Sequence, residues 1–259
     1  MNRINKIFAD KKTNILSVYY TAGFPSLNDT VPIAQYLEQA GADIIEIGIP
    51  FSDPVADGPT IQVSNKTALD NGMTTKILLQ QVKEIRKSVN IPIILMGYFN
   101  PVMQYGVDKF VHDAAAAGVD GLILPDLPFL EFEENYKDLF ASAGMGNTFL
   151  ISPTTSEDRI RKIDGASSGF VYAVSSSSTT GAKSDFSSEQ IAYFDRLKKL
   201  KLTNPLLIGF GISDHATFMK ASEYSAGAIV GSAFVTLLSK SNDIKTDIGL
   251  FVKSLKTGN

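Results

Sequence analysis

The run Ile45-Glu46-Ile47-Gly48-Ile49-Pro50-Phe51-Ser52-Asp53-Pro54-Val55-Ala56-Asp57-Gly58 sets one carboxylate inside an apolar strand and two more in the loop behind it. Ile45, Ile47 and Ile49 alternate with Glu46, Gly48 and Pro50. A period of two sends the isoleucines to one face of the strand and Glu46 to the other. An ionised carboxylate buried without a partner is costly, and its usual response is a raised pKa. A glutamate so placed suits proton transfer. Asp57 follows across a Pro-bracketed loop, so both carboxylates can reach the same mouth. A structural ion pair is the other reading of Glu46, but the nearby strands offer no inward-facing Lys or Arg to complete it. For Asp53 and Asp57 the alternative is turn formation or helix capping, common for Asp beside Pro and Gly. The pairing of both with Glu46 favours chemistry.

Two further regions could hold a ligand. Gly209-Phe210-Gly211-Ile212-Ser213 and Gly231-Ser232-Ala233 each follow an apolar run. Glycines there let backbone N–H groups approach a phosphate closely, whereas either loop alone could be a tight turn. Phe210 could line an apolar pocket or pack in the core. The polar segment from Tyr172 to Asp185, with its Ser175–Thr180 run, reads as either a disordered loop or a mobile lid, and its place at the mouth of the site favours the lid. Asp126 follows another apolar run, where a hydrogen bond toward the site and a helix-capping role are both open.

Short apolar runs alternate with amphipathic stretches along the whole chain, the pattern of βα units on a parallel sheet. Eight strands are predicted: 15–21, 44–48, 92–98, 121–125, 148–152, 169–175, 205–210 and 227–230. Helices are expected over 30–39, 75–88, 108–117, 131–143, 156–163, 188–200 and 214–223, several opening on Ser, Thr or Asp as caps. Ala40-Gly41-Ala42-Asp43, Ala117-Gly118-Val119-Asp120 and Ala226-Gly227-Ala228 echo one another, each expected to close a helix on a left-handed glycine. Eight such units in a single domain over 1–259 predict an α/β TIM (β/α)8 barrel, whose chemistry sits on loops at the C-terminal ends of the strands. A doubly wound open sheet is the alternative. It lacks support because no Gly-x-Gly-x-x-Gly turn follows the first strand.

Composition narrows the chemistry. The 259 residues include no cysteine, which removes disulfides, thiolate metal sites and cysteine nucleophiles. Only His112 and His215 are available as imidazole ligands or bases; the first falls in an Ala-rich helical run and the second at a helix start, so neither a metal site nor a serine triad is expected. The net charge of −3 shows no basic excess, and Lys198, Lys199 and Lys201 read as the solvated end of a helix, so no nucleic-acid partner is expected. No apolar run approaches the length of a membrane span, and the interleaved start Met1-Asn2-Arg3-Ile4-Asn5-Lys6-Ile7-Phe8 lacks a signal-peptide core. A soluble cytoplasmic protein is predicted.

Taken in order, Ile45 to Gly58, Asn100-Pro101, Leu124-Pro125-Asp126-Leu127-Pro128, Thr180-Gly181, Gly209-Phe210-Gly211-Ile212-Ser213 and Gly231-Ser232 resemble the motifs of the tryptophan synthase alpha chain family over nearly the whole sequence. The resemblance implies a TIM-barrel lyase that cleaves indole-3-glycerol phosphate to indole and glyceraldehyde 3-phosphate by a retro-aldol step. It implies acid/base work for Glu46, and for Asp57 a hydrogen bond to the indole N–H that stabilises the indoleninium-like charge. Gly181, Gly209, Gly211, Gly231 and Ser232 would hold the phosphate, Thr180 would position Asp57 on lid closure, and Tyr19, Tyr172 and Phe210 would surround the substrate. Asp53 and Pro54 match the loop facing a beta chain, which carries pyridoxal phosphate, receives indole through a tunnel and forms an alpha2beta2 assembly; the alpha chain itself uses no cofactor or metal. Tyr19 departs from the family's frequent Phe. Ser178 stands where a Gly is usual and Ser176 where some members have Arg. Two other functions stay in play: a non-catalytic phosphate-binding subunit that activates a partner, and another phospho-sugar barrel enzyme such as an epimerase or isomerase.

Overall fold

The computed structural model describes residues 2–175 and 186–259. Among these, nine strand segments form one all-parallel sheet: β1 (Ile15–Thr21), β2 (Ile44–Gly48), β3 (Ile93–Met96), β4 (Gly121–Ile123), β5 (Gly146–Asn147), β6 (Leu150–Ile151), β7 (Val171–Val174), β8 (Leu206–Gly209) and β9 (Gly227–Val230). Their order is β5-β4-β3-β2-β1-β9-β8-β7-β6. The two ends of that series are consecutive in the chain, separated by Thr148 and Phe149. The Thr148 N–H donates to the Leu122 carbonyl and the Tyr172 N–H to that of Phe149, both at 3.0 Å. β5 and β6 are therefore two halves of one barrel strand, paired first with β4 and then with β7, and the sheet closes as an eight-stranded TIM barrel with helices outside. The fifth strand predicted over 148–152 is this broken one.

Side-chain alternation builds two cores. Leu16, Val18, Ile45, Ile47, Ile93, Leu95, Val171 and Ile208 face outward and pack under the helices. Ile15, Ile44, Ile94, Phe170, Leu207 and Ile229 face inward and fill the barrel. Glu46 shares the inward parity of Ile44, as the alternation of its strand requires. Ile4 and Phe8, one turn apart on the helix Arg3–Asp10, join the inner cluster and plug the barrel's lower end. Beside them Asp120 is buried and takes hydrogen bonds from Arg86, from Arg3 at 3.0 Å and from the Ile93 N–H at 2.9 Å.

The helices Thr30–Ala40, Thr75–Ile85, Val107–Ala117, Glu157–Ala166, Ser188–Leu200 and His215–Tyr224 lie where the sequence predicts them, give or take a turn. The helix expected over 131–143 is instead Phe129–Glu131, a π-helical turn Phe132–Tyr136 and Lys137–Ser142. The wide turn accompanies burial of Phe132 edge-on against Phe140 and Phe149. Pro59–Asp70, Phe99–Tyr105, Ser232–Lys240 and Ile244–Thr257 are helices that the sequence pattern does not announce. In the first of these the buried face carries Ser64 and Asn65 among its four residues, which blunts the apolar period.

Gly41 and Gly118 end their helices with φ of 96°, in the left-handed region. Gly227 does not: it is the first residue of β9, where a Cβ would stand 2.0 Å from the Ile15 carbonyl oxygen. The third member of the sequence echo is thus required by close strand packing and not by a helix end.

Candidate active site

At the C-terminal ends of the strands a cavity of about 1150 Å³ opens into the barrel. Tyr19, Glu46, Asp57, Tyr172, Phe210, Gly211, Gly231 and Ser232, which the sequence nominates, all line it. They come from β1, β2, β7 and the loops after β2, β8 and β9, as expected for this fold.

Glu46 is fully buried, 0% exposed. Its Oε1 accepts a 2.7 Å hydrogen bond from the equally buried Ser17 hydroxyl on β1. Its Oε2 has no hydrogen-bond partner among the described residues. Burial pushes the carboxyl up to about 7, with the Ser17 hydrogen bond pulling it partly back. A half-protonated carboxyl with one free oxygen in a cavity can both give and take a proton near neutrality. The ion-pair reading of Glu46 is set aside: its partner is a hydroxyl.

Asp57 sits on a loop tied from several sides. Its N–H donates to the Pro54 carbonyl at 3.0 Å, its carbonyl accepts from the Gln62 side chain at 2.8 Å, and the Phe51 N–H donates to Asn65 Oδ1 at 3.2 Å. The Tyr98 hydroxyl accepts the Ala56 N–H at 3.0 Å and hydrogen-bonds the Asp57 carboxylate, while its ring lies against Phe51 with centroids 5.0 Å apart. Burial raises Asp57 to about 6, and the Tyr98 hydrogen bond opposes that rise. The two carboxyls are thus offset in the order that suits an acid at Glu46 and an anion at Asp57.

Two tyrosines shape the wall between them. A Cβ at Gly48 would lie 2.2 Å from the Tyr19 hydroxyl, and one at Gly209 would lie 2.1 Å from that of Tyr172. Each ring fits because the neighbouring strand presents a glycine there. Gly209 therefore lies beneath Tyr172 and is set back from the cavity wall. Phe210, the ambiguous aromatic of the sequence, lines the cavity and meets Tyr172 edge-on with centroids 6.3 Å apart.

The phosphate cradle suggested by the glycines has a physical basis. Gly231 is the N-cap of the helix Ser232–Lys240, both Gly231 and Ser232 line the cavity, and among the described residues no side chain caps that end, which leaves its first N–H groups for a ligand. Phe210 and Gly211 hold φ of 70° and 77°. A non-glycine residue in this region is uncommon, and the turn is pinned by the Ser175 hydroxyl donating to the Phe210 carbonyl at 2.6 Å. The Ser213 N–H is already taken by Thr217 Oγ1 at 3.1 Å.

Thr180 and Gly181, with Ser176, Ser178 and most of the proposed lid, lie outside the described residues. Asp53 is exposed, whereas Pro54 is buried by the chain's own atoms. Asp126 lines the cavity rim and caps a helix, though not its own: Oδ1 accepts the Phe99 N–H at 2.8 Å, at the start of Phe99–Tyr105. His112 is exposed and contacts the Asp108 carbonyl, and His215 contacts that of Leu255 at 2.7 Å. Lys198, Lys199 and Lys201 are exposed at a helix end. Ser17 and Tyr98 are the site residues that sequence reasoning missed. Their signal was a polar side chain sharing the parity of Tyr19 on β1, and a Tyr at the mouth end of the segment predicted as the third strand.

Known proteins resemble this chain over nearly its whole length. The family model described as tryptophan synthase alpha chain matches residues 6–254. The tryptophan synthase alpha chain of Flavobacterium psychrophilum is 56% identical over 241 residues, covering 93% of this chain and 94% of its own length. That of Christiangramia forsetii is 52% identical over 257 residues, 99% of each chain. Among solved structures, tryptophan synthase subunit alpha from Legionella pneumophila superposes with a TM-score of 0.89 at 35% identity, over 98% of this chain and 97% of that one. A chain of Mycobacterium tuberculosis tryptophan synthase gives 0.88 at 33% identity, over 98% and 96%. With a family match across the length of the barrel, and the two carboxylates and the glycine cradle at its mouth, this chain belongs to the tryptophan synthase alpha chain family.

Proposed function

We propose that this chain is a carbon–carbon lyase that cleaves indole-3-glycerol phosphate to indole and glyceraldehyde 3-phosphate, at the last stage of L-tryptophan biosynthesis. The observation that carries the reading is the unpartnered Oε2 of Glu46, a buried carboxyl that lines the same cavity as Asp57. Protonated Glu46 gives its proton to C3 of the indole ring, forming the C3–H bond and leaving positive charge on the ring. Ionised Asp57, hydrogen-bonded to the ring N–H, stabilises that charge. The Glu46 carboxylate then takes the proton of the hydroxyl on the adjacent glycerol carbon. The O–H electron pair becomes the aldehyde C=O, the C3–C bond breaks, and its pair neutralises the ring. Glu46 ends as it began.

The open N–H groups at Ser232 and the Gly211 turn support phosphate binding, and Tyr19, Tyr172 and Phe210 form the walls; Thr180 and Gly181 are assigned to the same site through the family motif. Protein groups supply every proton transfer, so no cofactor or metal in this chain is invoked. Pyridoxal phosphate belongs to the partner, a beta chain, in an alpha2beta2 assembly in the cytoplasm. Exposed Val55, Met103 and Leu130 support such a partner: they follow three adjacent strands, β2, β3 and β4, at the mouth, next to exposed Asp53. Pro54 then stiffens the loop from inside. The test is steady-state indole release from indole-3-glycerol phosphate, with and without a beta chain. Release that disappears in Glu46→Gln supports the lyase. A phosphate-binding activator or another phospho-sugar enzyme predicts no indole from the wild-type chain.

A further inference from the structure

Glu46 has one anchored oxygen and one free oxygen, and a single hydroxyl makes that difference. Ser17 lies on the inward face of β1, in register with Ile44, while Tyr19 is in register with Glu46. The hydroxyl therefore reaches diagonally up the neighbouring strand to Oε1, at 2.7 Å, with both residues fully buried. A serine hydroxyl has one proton to donate, and here it goes to the carboxyl. The terminal torsion of a glutamate is broad and roughly two-fold, so without that bond either oxygen, at a range of tilts, could face the cavity.

We infer that Ser17 is a positioning residue for the proton transfers of Glu46: by holding Oε1 it fixes the carboxyl plane and presents Oε2 alone, first to the ring carbon and then to the glycerol hydroxyl. This rests on the lyase reading above. The other titratable groups around Glu46 are the Tyr19 hydroxyl from β1, the Tyr172 hydroxyl from β7 and Asp57 from the loop after β2. Among the described residues, burial and Ser17 are the influences on its proton affinity, and no cation is among them. Removing the hydroxyl takes away the group that favours the charged form, so Glu46 should hold its proton to higher pH.

The experiment compares the full-length wild-type chain with Ser17→Ala and Ser17→Thr. Indole release is followed from pH 5 to 9 with a beta chain present, thermal melting confirms folding, and the Glu46 carboxyl is titrated by carbon-13 NMR without substrate, its resonance identified by its loss in Glu46→Gln. Ser17→Ala is expected to lower kcat about 10-fold with little change in KM, and to move both the alkaline limb of kcat/KM and the Glu46 titration upward by roughly half a unit or more. Ser17→Thr, which keeps the hydroxyl, should restore the limb. An unmoved titration in a folded Ser17→Ala chain overturns the inference, as does a uniform loss of rate with the limb in place. A wild-type chain that releases no indole at any pH refutes the lyase reading itself, a different result from an unmoved titration.

Discussion

Two carboxylates are buried in the same barrel and meet opposite fates. At the lower end Asp120 is 4% exposed and surrounded by donors: the buried Arg86 guanidinium, the half-exposed Arg3 and a strand N–H. At the upper end Glu46 is 0% exposed and has one hydroxyl, with an oxygen left over. Asp120 ties the N-terminal helix to β3 and to the Arg86 segment. Glu46 ties nothing beyond Ser17. A buried charge that is fully paired serves the fold, and one left under-satisfied is a liability to stability that chemistry can use.

That contrast can be broken most sharply at Glu46. Glu46→Gln should remove at least 10³-fold of indole release in a steady-state assay, since it deletes the only group assigned to both proton transfers. At pH 8 the same variant should unfold at higher denaturant than wild type. A carboxyl held at about 7 keeps in the folded state a proton that an unfolded glutamate, at about 4.5, has released. Raising pH from 4.5 to 7 therefore costs wild-type stability, by about 3 kcal/mol at most, and the loss levels off above 7. Glu46→Gln should lose this part of the slope and keep the part below about pH 6 that the raised Asp57 contributes, and urea melts across that range would show the same slope in both proteins if Glu46 were not raised.

Asp120→Ala should give the reverse pattern. Leaving Arg86 buried without its carboxylate is expected to cost about 3–5 kcal/mol in chemical denaturation, while the protein that remains folded keeps kcat within a few-fold of wild type. Asp57→Asn should lower kcat/KM about 10²-fold without a comparable loss of stability, because its anion acts on charge that develops only during reaction. In wild type, kcat/KM should follow a bell, rising near pH 6 as Asp57 ionises and falling near pH 7 as Glu46 does. The smallest effect is expected at Arg3→Ala. Its side chain is about half exposed, so losing it should change stability by less than about 1 kcal/mol, and a larger loss would show that both guanidiniums are needed.

The sequence carried the upper site further than the lower one. The alternation of Ile45, Ile47 and Ile49 told that Glu46 faces the barrel's interior, and the glycines at 211 and 231 told where backbone could meet a phosphate. Asp120 was visible only as part of a helix-ending echo, because its partners Arg86 and Arg3 lie 34 and 117 residues away and distant pairs leave no local pattern. Ser17 escaped for a related reason: a serine in an apolar strand reads as a neutral filler until the register between β1 and β2 is known. Gly227 shows the limit of local strings, since the surroundings that made Gly41 and Gly118 helix ends placed it in a strand against the Ile15 backbone. The helices Pro59–Asp70 and Ser232–Lys240 were hidden by buried polar residues in the first and by the loop-like glycine and serine at the start of the second.

The plug formed by Ile4 and Phe8 has a consequence for traffic. With the floor of the barrel stoppered by an isoleucine and a phenylalanine, the doorway seen among the described residues lies at the rim, where Val55, Met103 and Leu130 follow their strands. A protein seated over that doorway would inherit whatever small aromatic molecule leaves it, before the surrounding water could carry it off.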